Sequence, residues 1–226
     1  MYGVNRENGN TDAYRSQLSI STLNKLFELQ QFDLKLHALS VRWYTKLLLK
    51  AVAEAHPECG VDERIQFLIS EAALFHDIGK IMLPNSILYK KERLTTEEWS
   101  LLHAHPFWGT KIIELAEDGD SEYLHTVLDV CSCHHERWDG KGYPYGLCGE
   151  TIPFSAQIVG LADVYDALTQ VRSSKGRIEH TQAVQMILDG ECGVFSPFLL
   201  DCFSDCSPEL YHALCVQQAE EDAHEF

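Results

Sequence analysis

A chain of 226 residues, 45% hydrophobic and 10% aromatic, carries enough apolar material for a buried core and is not a disordered polymer. Its 18 Lys and Arg stand against 34 Asp and Glu, a formal charge of −16, so its overall field disfavours nucleic-acid polymers and anionic membranes while leaving room for a small phosphorylated ligand beside local cations. No apolar run approaches the roughly 20 residues of a membrane span, and eight cysteines without a signal peptide lead to the expectation of a reducing, cytoplasmic location.

In chain order, residues 1–20 are polar and glycine-bearing and are expected to form a flexible arm. One helical domain over 21–215 and an acidic tail at 216–226 follow. Leu23, Leu26, Phe27, Phe32, Leu36, Leu39, Trp43, Leu47 and Val52 recur at threes and fours, which predicts a long first helix with one break, stopped by Pro57 and Gly60. Asp62 caps a second helix with the stripe Ile65, Leu68, Ile69, Ala72 and Ala73, and Gly79 is expected to end it. Thr95 with Glu98 reads as a capping box, and Pro106 as an interruption of the helix that follows. Further helices are predicted at 121–135, 155–170, 181–189 and 207–220, and the Gly- and Pro-rich stretch 136–154 reads as a loop. No segment alternates with the period of two that a strand requires, so the fold class is all-α, a single-domain helical bundle.

Metal-ligating residue types gather along this frame. Asp33 and His37 are four apart and leave one helix face together; His76 and Asp77 are neighbours whose side chains diverge by about 100°. His105 and its competitor His103 sit at the proline, His134 and His135 close a helix, and Asp163 lies inside GLADVYDALT with Asp166, read as structural, one turn on. Singly, each has an ordinary reading as a solvated carboxylate or a capping histidine. Jointly, the two adjacent pairs fall where helices stop and side chains can fan into a cavity. Imidazole and carboxylate without thiolate suit Fe, Mn or Zn. Cys131 and Cys133 before the histidine pair lack the two separated pairs of a structural zinc site.

HDIGK at 76–80 followed by HHERWDGKGYP at 134–144 resembles the HD-GYP family, a branch of the HD-domain metal phosphohydrolases; the second motif matches HHExxDGxGYP at every fixed position, and the resemblance covers about residues 30–205. It implies an HD-type bundle with a GYP loop that hydrolyses cyclic di-GMP to pGpG, and on to GMP, through attack by metal-bound hydroxide. By the same resemblance His37, His76, Asp77, His105, His134, His135 and Asp163 fall on metal-ligand positions, with His105 preferred to His103 because it directly precedes the proline. Asp33 falls where many members carry a glutamate that helps hold a third ion. Its shorter side chain favours two divalent ions over three, Fe or Mn first, with Zn compatible.

Asp77, as a bridging ligand, and Lys80, as a phosphate contact, take the catalytic roles that the resemblance implies. Arg172 and Lys175 resemble the cations of the family's RPYK segment, which meet phosphate or guanine; Ser173 and Ser174 replace the proline and the tyrosine. Glu136, Asp139, Gly140, Gly142, Tyr143 and Pro144 belong to the GYP loop, which in the family shapes the substrate groove and contacts diguanylate cyclase (GGDEF) domains. A GGDEF-domain protein is therefore an expected partner, with the oligomeric state open and a dimer included. The rival readings are another HD-type nucleotide phosphohydrolase and a catalytically weak cyclic-dinucleotide sensor or scaffold.

Overall fold

The computed structural model describes residues 22, 25–116, 121–170 and 177–224. A helical stretch at 25–28 ends in a turn at 29–30, and α1 (Phe32–Ala55) then runs unbroken, so the expected break falls just before it. α2 (Glu63–Ala72) starts on Asp62, whose carboxylate accepts from Ile65 N at 2.8 Å. There follow α3 (Asn85–Leu88), α4 (Thr96–Leu102), α5 (His105–Ala116), α6 (Glu122–Cys133), α7 (Phe154–Thr169), α8 (His180–Leu188), α9 (Pro197–Asp205) and α10 (Ser207–His224). Among the described residues there is no strand, only an isolated antiparallel bridge between Asp139 and Cys148, so the fold is all-α.

α1 and α7 form the spine, and α1 also packs on α2, α9 and α10. Val41, Tyr44, Leu48 and Val52, at threes and fours along α1, are buried against Ile158, Leu161, Ala162 and Tyr165 of α7. The Tyr44 and Tyr165 rings meet edge-on at 4.9 Å, and the Tyr44 hydroxyl donates to Gln217 Oε1 at 2.6 Å, tying α10 to the spine. Leu36 and Leu39, expected on the buried stripe, are more than a third exposed. The tight inner face is taken instead by Ala38, Ser40 and Thr45, small side chains that a search for large apolar residues passes over.

Three local expectations are corrected. α2 stops at Ala72 and tightens into 3-10 turns at 73–75 and 78–82, with His76 and Asp77 between them. Gly79 does not act as a left-handed cap: its φ is not positive, and a Cβ there would collide with the His105 carbonyl and Gly109 N, so glycine is required for close approach of the 78–82 turn to α5. Pro106 interrupts nothing, because it is the second residue of α5, where the missing N–H has no helical partner to lose. α9 was not expected, although Ser196 followed by Pro197 is a helix-start pattern. α10 carries the acidic tail as helix as far as His224.

Candidate metal centre

Four short pieces of chain deliver the site: the N-terminal half of α1, the turn between 75 and 78, the start of α5 and the end of α6, all facing the middle of α7. His37 projects from α1 onto two carboxylates one helical turn apart on α7. Its Nε2 is 3.1 Å from Asp163 Oδ1 and its Nδ1 is 2.6 Å from Asp166 Oδ2. His76 is fully buried and its Nδ1 donates to the Ala73 carbonyl at 2.8 Å. His105 Nδ1 donates to Leu102 O at 2.7 Å, and His134 Nδ1 to Val130 O at 3.0 Å. A carbonyl can only accept, so each of these three rings carries its proton on Nδ1 and turns Nε2 into the site.

Two ligand groups result, His37 with His76 and Asp163, and Asp77 with His105, His134 and His135; within each, the ligating atoms all lie within 4.8 Å of one another. Asp77 faces both. Its Oδ2 is 3.3 Å from His76 Nε2 and 3.7 Å from His37 Nε2, while its Oδ1 is 3.1 Å from His105 Nε2 and 3.8 Å from His134 Nε2.

The electrostatics test whether these residues fit a metal. Asp77 Oδ1 is buried and accepts no hydrogen bond, and the nearest nitrogens, on His105 and His134, stand 3.4 Å apart and present lone pairs. Acceptors packed on acceptors repel unless a cation lies among them, so the donor set fits divalent metal at this place. Burial would push the Asp77 carboxyl up, but its neighbours, Lys80 first and then His76, outweigh it and hold Asp77 well below the usual carboxylate range. Burial and the neighbouring His76 and His105 pull His134 down to about 3, and burial with His134 lowers His135 likewise. Burial opposes the charged form of His37, but Asp163 and Asp166 prevail and raise its pKa to about 9.

The structure thus brings together His37, His76, Asp77, His105, His134, His135 and Asp163. Asp33 is not among them: it is exposed and accepts from the Tyr89 hydroxyl at 2.9 Å. The Lys80 ammonium is half-buried and hydrogen-bonded to Asp77 Oδ2. Arg172 and Lys175 lie outside the described residues. In the loop, buried Glu136 accepts from Tyr145 N at 2.7 Å and Leu147 N at 2.9 Å, organising the segment from within. Asp139 accepts from Lys141, Gly140 takes φ 76°, and Gly142 lies so close to Glu136 and Arg137 that a Cβ would collide with their backbone. Tyr143 is half-buried, and Pro144 is exposed. Cys131 stays out of both groups; its thiol is buried and its pKa pushed well up.

Asp166, read as structural, lies in neither ligand group, but the sequence does not show that the ring it backs is His37. The signal was present in part, since i and i+3 on a helix share a face with Asp163, but the partner opposite that face belongs to α1.

A family model described as HD domain matches residues 21–192. Among curated proteins, the chain is 36% identical over 191 residues to a cyclic di-GMP phosphodiesterase of Vibrio cholerae, covering 82% of this chain and 38% of that protein. It is 33% identical over 142 residues to a 3′3′-cGAMP-specific phosphodiesterase of the same organism, covering 63% of this chain and 27% of that one. The chain therefore spans less than half the length of these relatives. Among solved structures, an HDG"Y"P protein from Bdellovibrio bacteriovorus superposes with a TM-score of 0.57 at 20% identity, over 87% of this chain and 58% of that one, a likeness of fold.

Proposed function

The chain belongs to the HD domain family, in its HD-GYP branch, and on that premise we propose that it is a metal-dependent phosphodiesterase that hydrolyses cyclic di-GMP to pGpG, with further cleavage to GMP. The observation that carries this reading is Asp77, one carboxylate whose two oxygens face two separate imidazole groups, with Oδ1 buried and unbonded. His37, His76 and Asp163 would hold one divalent ion, His105, His134 and His135 a second, and Asp77 both, with Fe or Mn the expected metals and Zn compatible. Asp33, bonded to Tyr89, gives no support for a third.

Bound there, such ions supply Lewis acidity toward a phosphodiester and lower the pKa of water from 15.7 to about 7. The chain's own groups do the rest. Asp77 stays ionised through burial because Lys80 and His76 stand against it, and the Lys80 ammonium, held beside the metal ligands by Asp77, would meet charge that develops on a non-bridging phosphate oxygen of bound substrate. Arg172 and Lys175 are proposed contacts to phosphate or guanine. The exposed end of the loop at Pro144 and Tyr145 is the face we assign to a GGDEF-domain partner. A cytoplasmic location suits a chain whose eight cysteines are free thiols, and a small anionic substrate would be held by local cations against the chain's overall charge of −16.

The test is product analysis of anaerobically purified, Fe- or Mn-loaded protein with cyclic di-GMP, 3′3′-cGAMP and a nucleotide panel. Conversion of cyclic di-GMP to pGpG, abolished by Asp77→Ala, is the expected result. Turnover of nucleotides alone would favour another HD-type phosphohydrolase, and tight binding without turnover a sensor. Preference for 3′3′-cGAMP is the second reading, supported by the 33% identity to a 3′3′-cGAMP-specific phosphodiesterase; Ser173 and Ser174, where the family segment has proline and a stacking tyrosine, leave the base preference open.

A further inference from the structure

Four of the five site imidazoles are aimed by a hydrogen bond from Nδ1: His37 by Asp166, and His76, His105 and His134 by backbone carbonyls. His135 is different. Among the described residues nothing hydrogen-bonds its ring nitrogens, and its orientation is set by neighbouring rings. His105 meets it edge-on at 5.0 Å, His134 lies tilted at 4.0 Å, and Tyr143 stacks on it at 4.5 Å with 24° between the planes.

Tyr143 is delivered by the backbone. Its N–H donates to His135 O at 3.2 Å, and Gly142 lets the loop lie against residues 135–137. The opposite face of Tyr143 is covered by His103, stacked at 4.2 Å and 19°. Trp99, one turn earlier on α4, meets His103 at 5.2 Å. Trp99, His103, Tyr143 and His135 thus form one column of rings running from the surface into the metal centre.

We propose that His103 is a positioning residue: by capping the outer face of Tyr143 it holds that ring on His135 and so presets His135 to ligate metal. The inference rests on the metal reading above. An uncapped Tyr143 could rotate into solvent, leaving His135 with edge and tilted contacts alone, and the freedom then lost on metal binding would appear as weaker affinity. His103 is itself exposed, so its replacement leaves the hydrophobic core intact.

The test is Mn(II) titration of the metal-stripped 226-residue chain by calorimetry, for wild type, His103→Ala and His103→Phe, with kcat and KM on cyclic di-GMP measured alongside. His103→Ala should weaken one of the two Mn(II) sites by roughly three- to tenfold, the worth of about one ring stack, and leave the other unchanged. His103→Phe, which keeps the stack without ring nitrogens, should restore it. An affinity in His103→Ala equal to wild type, or no rescue by His103→Phe, overturns the proposal while leaving the metal centre standing. A wild type that takes up no Mn(II) overturns the metal reading and the brace with it.

Discussion

Asp166 touches one ligand candidate, His37, through a 2.6 Å contact, and leaves its other oxygen buried without a partner. A carboxylate behind a ligating imidazole fixes the ring and makes it a stronger donor, and losing such a partner costs roughly 10- to 100-fold in metal affinity. Asp166→Asn should fall at the low end of that range, because an amide oxygen can still accept from Nδ1, and Asp166→Ala at the high end. Competition with a metal-indicator dye would measure both, and unchanged affinity would contradict the assignment. The pKa directions add a second expectation for metal-free protein. His37 is raised to about 9, so its proton contributes stability that is complete below pH 6.5 and lost as pH rises through 9. His134 is lowered to about 3, so below pH 6.5 the unfolded chain takes up a proton that the folded chain resists, and stability falls at about 1.4 kcal/mol per unit. Urea midpoints of stripped protein should therefore peak near pH 6.5, and a midpoint still climbing toward pH 9 would refute the His37 environment. At this scale the ligand residue types and the two adjacent pairs were legible in the sequence. Which carboxylate backs which ring was not, because Asp166 and His37 are 129 positions apart.

Helix starts with a chemical signature were readable one by one: Asp62 accepts from Ile65 N, and Thr95 with Glu98 closes a complete capping box. What local signals do not carry is how close two backbones must come. Gly79 looks like a helix terminator but serves the contact with His105 and Gly109, and Gly160 sits mid-helix in α7 because a Cβ there would strike the His134 carbonyl. In an exposed helix Gly→Ala stabilises by about 1 kcal/mol. Here Gly160→Ala should instead destabilise by about 1–3 kcal/mol, as overpacking does, and should reduce metal content by shifting His134 away from Asp77 and His105. Thermal unfolding and metal analysis of one preparation would check both effects, and a more stable variant with full metal would show the contact to be looser than described. Pro106 reads locally as an interruption for a related reason: a proline that stops one helix and a proline that starts the next differ only in what precedes them, and Ala104 ends the turn after α4 before α5 begins.

For the molecule as a whole, the bundle exists to bring α1, α5, α6 and α7 around one charged pocket inside an otherwise apolar core. Periodicity foretold helices, and the net charge left a phosphorylated ligand possible only beside local cations, but the convergence of His37, Asp77, His134 and Asp163 from over half the chain is a property of packing. A pocket of buried acceptors is unstable when empty. Stripping metal should lower the unfolding temperature and reloading should restore it, by about 2.7 kcal/mol per ion at a hundredfold excess over Kd. A chelator without effect on unfolding would count against bound ions. The central claim is that Asp77 joins two ions, and electron paramagnetic resonance of fully Mn(II)-loaded protein addresses it most directly. The account predicts two Mn(II) per chain with the spectrum of an exchange-coupled pair, converted by Asp77→Ala to an uncoupled or singly occupied site. Two magnetically isolated ions in wild type, or a coupled pair that survives Asp77→Ala, would contradict it.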